Sequence, residues 1–367
     1  MEDFRMRPEE RISWSLQGLY QRHGYKKYRM GKFEEYELYL ENKNFLQSRQ
    51  IITFNDMDGR VLALKPDVTL SIVKNTHADR SSSEKFYYLE NVYRFHKPSG
   101  AYREISQLGL EYLGAPDPFA TGEVVCLAAQ TLREISPQAR MQLSNVSFVR
   151  SLMDGLKVEE GAQAQLGEFI RHKNAHELSA QAAALGIPPA AAHMLSQVCG
   201  LSGPYEDTMA RARALAITPD MTGALSLLEG VWAQLKALGL EDRVTLDFSL
   251  LGDMEYYCGL AFQGYVPGAP RAVLSGGCYA NLLRKFGRDI DAIGFAVYLN
   301  ELSFLGGEGD GLDADVLLRY GPEDAPDQVA LAAQALRGKG LRVRCEMCPP
   351  REARWGREMT VKEALSC

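Results

Sequence analysis

Apolar residues recur at helical spacing near the N-terminus, at Ile12, Leu16, Leu19 and Tyr20, behind Pro8, Glu9 and Glu10 and ahead of Gly24. A proline and acids in the first turn with a closing glycine predict one amphipathic helix. In IITFNDMDGRVLALKPDVT, two β-rich runs flank Asp58 and Gly59, a hairpin signature, and Pro66-Asp67 opens a helix through about Asn75. Residues 85–95 and 103–113 read as a second, longer antiparallel pair around a loop at Pro98 to Gly100. From about 121 to 240 the pattern turns helical and Ala-rich, with one strand near ARMQLSNVSF and turns at Gly186 to Pro188 and Gly200 to Pro204. Strand signals return in RVTLDFSLLGDMEYYCGLAFQGYV and RAVLSGGCYANLL, followed by a helix-like run, IGFAVYLNELSFL.

The pattern breaks at GGEGDG, residues 306–311, which reads as a flexible linker. Beyond it ADVLLRY, an Ala-rich helix near Pro326 to Leu336 and LRVRCEM predict a small β-α-β unit. The expected fold class is α+β: an antiparallel sheet flanked by helices. The expected domains are a core over 1–305, with a helical insertion at about 150–240, and a short C-terminal unit over 312–367.

Composition narrows the function classes. At 367 residues and 46% hydrophobic content the chain can bury a large core. Lys and Arg number 41 against 47 Asp and Glu, a net charge of -6, with no basic block of the kind that marks a nucleic-acid surface, so tight tRNA binding is not expected. The first thirty residues lack the apolar core of a signal peptide and no run of eighteen apolar residues occurs, which predicts a cytoplasmic protein. Seven cysteines at irregular spacing fit reduced thiols. Cys345 and Cys348 form a C-x-x-C without a second pair, and His172 with His176 stand at i, i+4; neither is assigned a metal, and no cofactor is expected.

The strand QLGLEYL carries more chemistry. Alternation sends Gln107, Gly109 and Glu111 to one face and Leu108, Leu110 and Tyr112 to the other, which belongs to the core. Gln107 and Glu111 lie about 13 Å apart at about 3.3 Å per residue, and Gly109 leaves a notch between them. That face is either a small-ligand floor or an ordinary solvated sheet face. Tyr256 and Tyr257, read as adjacent in a strand ahead of Gly259, point to opposite faces, so one packs and the other offers a hydroxyl. Asp67 is a third acid, or simply a helix cap.

The order of LALKPDVT, YRFHKPSGAYREISQLGLEYLG, LGDMEYYCGLAF and SGGCYANLL with IGFAVYLNEL resembles the histidyl-tRNA synthetase core, a class II synthetase fold, over roughly residues 5 to 305. The resemblance implies a histidine pocket made by Asp67, Gln107, Glu111, Tyr256 and Tyr257, with Arg94 and Arg103 as candidate anion-binding residues. It also exposes departures from an active synthetase. The glutamate of the second family motif falls on His96, a loop arginine on Ala101, the third-motif arginine on Glu301 and the arginine of the histidine-specific segment on Gly252. Adenylation needs cations around the phosphates, so no catalytic residue is assigned. The 56 or so residues after the linker are short for an anticodon-binding domain.

FNDMDGRVLALKPDVT, with Asp67 and with Lys65 in place of an arginine, is similar to the regulatory subunits of ATP phosphoribosyltransferase. That resemblance implies a homodimer within a hetero-oligomer, a short-form catalytic subunit as partner and L-histidine as effector in the first step of histidine biosynthesis. An active histidyl-tRNA synthetase and a synthetase-like amino-acid sensor for another partner are the alternatives.

Overall fold

The computed structural model describes residues 8–40, 51–96, 99–252, 257–305 and 312–366. Two compact units emerge, one over Pro8–Phe304 and one that contains Leu305–Cys367. The linker 306–311 lies outside the described residues.

The larger unit is built on a nine-stranded, mostly antiparallel sheet. Its central feature is the long hairpin Glu84–His96 with Ala101–Gly114, in unbroken register from Glu84 opposite Leu113 to His96 opposite Ala101. Strand Asp291–Tyr298 follows on the far side of Ala101–Gly114, then Leu274–Cys278, Leu260–Tyr265, Arg140–Asn145 and Val244–Asp247. Parallel pairing occurs only toward the margins, where Lys26–Lys27 joins the hairpin and Val244–Asp247 joins Arg140–Asn145.

Helices cover one face. Helix Pro118–Ile135 starts where Asp117 accepts the Ala120 N–H at 2.7 Å and Pro118 occupies the first turn, and it buries Val124, Leu127, Ala128 and Leu132. Its close approach requires Gly264, where an added Cβ would sit 2.5 Å from Leu132. Helix Pro8–Arg22 packs beside it, with the buried Tyr20 hydroxyl 3.1 Å from Thr131 Oγ1, and the chain turns at Gly24 with φ 81. Between residues 146 and 237, helices Val146–Gly155, Glu160–Arg171, Ala175–Ala184, Pro189–Cys199, Tyr205–Leu215 and Pro219–Ala237 form a helical lobe.

The hairpin predicted around Asp58-Gly59 forms as Thr53–Asn55 and Val61–Leu64, with Phe33–Glu35 as a third strand. Asp56 Oδ1 accepts the Asp58 and Arg60 N–H groups at the turn, and Gly59 takes φ 79. Helix Thr69–Asn75 follows.

Three local expectations change. The helix-like run IGFAVYLNELSFL is strand Asp291–Tyr298 and then a 3-10 turn over Leu299–Leu305. The strand is buried on both faces, so its apolar residues run on without alternation, and β-branched and aromatic side chains win. Tyr257 is not in a strand: Gly259 at φ 115 interrupts the ladder, and pairing begins at Leu260. His172 and His176 do not share a helix face, because Lys173 at φ 53 ends one helix and Asn174 caps the next through the Glu177 N–H.

In the C-terminal unit the expected β-α-β forms as Ala314–Arg319, Pro326–Arg337 and Val343–Glu346, all strand pairs being parallel. A third strand, Trp355–Thr360, and a closing helix, Val361–Ser366, extend it. Trp355–Thr360 carries no apolar alternation, since Met359 is its one buried residue, which hid it from the pattern.

Candidate functional site

A cavity of about 220 Å³ opens on the sheet face away from helix Pro118–Ile135. That is below the 300–1,000 Å³ or so of drug-sized ligand sites and suits a small metabolite. Four of the residues singled out from sequence line it together: Asp67, Gln107, Glu111 and Tyr257. Arg94 lines it as well. Tyr256 lies outside the described residues. Arg103 stands directly opposite Arg94 in the hairpin, exposed, and is not in the wall of the cavity.

Glu111 is the pivot. It is 3% exposed, so its face is no solvated sheet surface. The Thr69 hydroxyl donates to Oε1 at 2.8 Å and the Tyr279 hydroxyl to Oε2 at 2.6 Å. Burial lifts its carboxyl to about 8, with those two bonds pulling the other way and the Asp67 charge adding to the rise. Asp67 is both cap and acid. Its Oδ1 accepts the Leu70 N–H at 2.9 Å at the start of helix Thr69–Asn75, while Oδ2 lies 2.7 Å from Arg94 Nη2. Burial raises its pKa, against the pull of the Arg94 guanidinium and of the Leu70 and Thr69 N–H groups.

The notch at Gly109 is occupied, contrary to the expectation of open space there. Tyr88 stands opposite Gly109, and an added Cβ would lie 2.4 Å from the Tyr88 ring. The glycine of the neighbouring strand serves Glu111 instead: Gly294 faces it, and the missing side chain leaves the space that the carboxylate occupies. Tyr257 packs over Gly277, whose missing side chain makes space for the ring. Burial raises the hydroxyl pKa values of Tyr88, Tyr257 and Tyr298, so all three are neutral hydrogen-bonding groups.

Thr69, Tyr88, Tyr279, Tyr298 and Ser275 line the site without having been assigned to it from sequence. The Ser-Gly-Gly run beginning at Ser275 was the available signal, since glycine inside a strand marks close approach. Among the described lining residues Arg94 is the one cation, and it is already paired with Asp67. The wall thus offers carboxyl, amide and hydroxyl groups to a small polar ligand. A polyphosphate finds no unpaired cation among those lining residues.

The family model for histidyl-tRNA synthetase matches residues 3–302. A curated relative, the ATP phosphoribosyltransferase regulatory subunit of Symbiobacterium thermophilum, is 32% identical over 346 residues, which is 91% of this chain and 85% of that one. The chain belongs to the family of ATP phosphoribosyltransferase regulatory subunits. A crystal structure described as an ATP phosphoribosyltransferase regulatory subunit/histidyl-tRNA synthetase from Bacillus halodurans shares the fold, with TM-score 0.80 and 23% identity over 96% of this chain and 93% of that one. A chain in the ATP phosphoribosyl transferase complex of Thermotoga maritima shares it with TM-score 0.62 and 16% identity, over 79% and 97% of the two chains.

In this regulatory subunit the departures from the synthetase pattern have a structural form. Glu301 faces Arg271, Oε1 to Nε 3.4 Å, so the position holds an internal ion pair. Gly252 has φ 59, and an added Cβ would sit 2.5 Å from the Tyr257 ring, so only glycine fits. Lys65, the residue that replaces an arginine, is buried and pairs with Glu90. No helix among the described residues is long and apolar enough to cross a membrane, and no cluster of metal-ligating side chains occurs among them.

Proposed function

We propose that this chain is the non-catalytic regulatory subunit of an ATP phosphoribosyltransferase in the first step of histidine biosynthesis. It is required for the activity of a short-form catalytic subunit and conveys feedback by L-histidine. It acts in the cytoplasm as a homodimer within a hetero-oligomer. Family membership supports the role, and the likeness to a chain of the Thermotoga maritima complex supports the partner.

One observation carries the reading of the site: Arg94, the cation in the cavity wall, is held by Asp67 at 2.7 Å. Adenylate formation needs positive charge on the phosphates. Histidine needs a carboxylate for its ammonium and both a donor and an acceptor for its imidazole. Glu111, Asp67, Gln107 and the Tyr257 hydroxyl supply those groups. Histidine controls the partner only through unequal affinity for two arrangements of the complex, since equal affinity shifts nothing.

The test has two arms. Histidine-dependent exchange of pyrophosphate into ATP is expected to be absent, and purification from native extract is expected to bring down the short-form transferase. Measurable exchange would make the chain an active synthetase. A different main partner would make it a sensor serving another enzyme.

A further inference from the structure

The turn that separates His172 from His176 reaches from the helical lobe to the segment 247–252. Lys173 adopts a left-handed backbone, φ 53, unfavourable for a residue with a side chain. Its Nζ lies 2.8 Å from Asp247 Oδ2 and 3.2 Å from Ser202 Oγ. Asp247 ends strand Val244–Asp247 and is 4% exposed. Its Oδ1 also accepts the Ser249 N–H at 3.0 Å and the Ser249 hydroxyl at 2.5 Å. This left-handed residue closes helix Glu160–Arg171, with the Asn174 N–H bonded to the Phe169 carbonyl at 2.9 Å, and it sets the ammonium group against a buried carboxylate.

The same turn makes a second contact. Arg171 Nη2 donates to the Gly252 carbonyl at 2.6 Å, while Nη1 is held by Glu168 at 2.9 Å. Two cations two residues apart therefore grip both ends of the segment 247–252. The α-carbon of Gly252 lies against Tyr257, its missing Cβ 2.5 Å from the ring, and Tyr257 lines the cavity. A continuous path of contacts runs from lobe to ligand wall.

We propose that Arg171 and Lys173 are positioning residues that latch the helical lobe to the segment 247–252 and, through Gly252, hold the Tyr257 ring in the cavity wall. Ligand affinity and placement of the lobe are then linked, and the linkage is reciprocal. A protein bound to the lobe would change affinity in the cavity without entering it. That the ligand is histidine rests on the function proposed above; the latch itself does not.

The test uses the full chain with R171A, K173M and R171K. Amide hydrogen exchange is followed across 247–252 and across strand Ala101–Gly114 without ligand, and histidine affinity is measured by calorimetry. R171A and K173M are expected to speed exchange across 247–252, leave Ala101–Gly114 unchanged and weaken histidine about tenfold, within the usual range of couplings. R171K keeps a donor for the Gly252 carbonyl and is expected to recover most of the loss. Unchanged exchange across 247–252, exchange that rises equally in both regions, or unaltered histidine affinity in the two disruptive variants would each overturn the latch. Wild-type protein that takes up no histidine would sink the reading of the cavity instead, and the exchange comparison alone would then decide the latch.

Discussion

Gly294 faces Glu111 across the sheet so closely that a methyl group on its α-carbon would lie 1.8 Å from Glu111 Oε2 and 2.5 Å from the Leu110 carbonyl oxygen. The carboxylate occupies space that the neighbouring strand leaves vacant. G294A is therefore expected to displace Glu111, abolish histidine binding and cost about 1–3 kcal/mol by overpacking, read by urea unfolding and calorimetry. G230A is the control: Gly230 is exposed in helix Pro219–Ala237 with nothing within 4 Å of its added Cβ. It should gain about 0.5–1 kcal/mol, the usual difference between glycine and alanine in a helix.

The Glu111 carboxyl gives a pH dependence of known sign. Its pKa is lifted by burial from an ordinary 4.5 to about 8. Between those values the folded chain keeps a proton that the unfolded chain has released, so this group lowers stability as pH rises through the window, by up to ~1.4 kcal/mol per unit. The penalty is absent below the window and complete above it. E111Q should therefore gain stability relative to wild type between about pH 5 and 8, measured by denaturant titration at several pH values. A cationic ligand that meets Glu111 must expel the proton, so calorimetry in buffers of different ionisation enthalpy should show proton release near pH 7 in wild type and none in E111Q. Equal release in both would contradict the assignment of Glu111 as the ligand's partner.

Arg94 offers the opposite experiment. D67N preserves an acceptor for the Leu70 N–H and removes the charge that holds the guanidinium. Breaking the ion pair lowers stability, while removing a carboxylate whose pKa burial has raised relieves a penalty at neutral pH, so the net change is expected to be small. Histidine should bind more weakly, and inorganic pyrophosphate should bind detectably where wild type shows no uptake. Pyrophosphate uptake by wild type equal to that of D67N would show that the pairing does not control the charge of the cavity.

Much of this was legible in the chain because alternation along a strand is local. Gln107 and Glu111 share a face for that reason, and Asp67 caps the helix that Pro66-Asp67 announced. What alternation does not reveal is what fills the space above a face. Gly109 reads as open room until the register puts Tyr88 opposite it. Strand Asp291–Tyr298 reads as helix because burial on both faces removes the alternation that would mark it. Tyr279 reaches Glu111 across 168 residues of sequence, a pairing that no spacing rule contains.

The C-terminal unit has its own anchor. Arg342 donates to Asp315 through Nη2 at 2.9 Å, Nε at 3.3 Å and its backbone N–H at 2.9 Å, and Nη1 donates to the Leu312 carbonyl at 2.9 Å. D315A should cost about 1 kcal/mol, more than an ordinary surface pair because the geometry is bidentate. Hydrogen exchange should rise in strands Ala314–Arg319 and Val343–Glu346 and stay unchanged in the sheet of the larger unit. A rise shared by both units would mean that they unfold together.

In the proposed role this chain switches on a partner enzyme and passes histidine feedback to it. The most direct measurement is phosphoribosyl-ATP formation by the short-form catalytic subunit of the same organism, with and without this chain, across a histidine titration. Activity is expected to depend on the chain and to fall as histidine rises, with the fall lost in E111Q. Turnover that ignores the chain would contradict the regulatory role, and turnover that needs the chain but ignores histidine would contradict the assignment of the cavity.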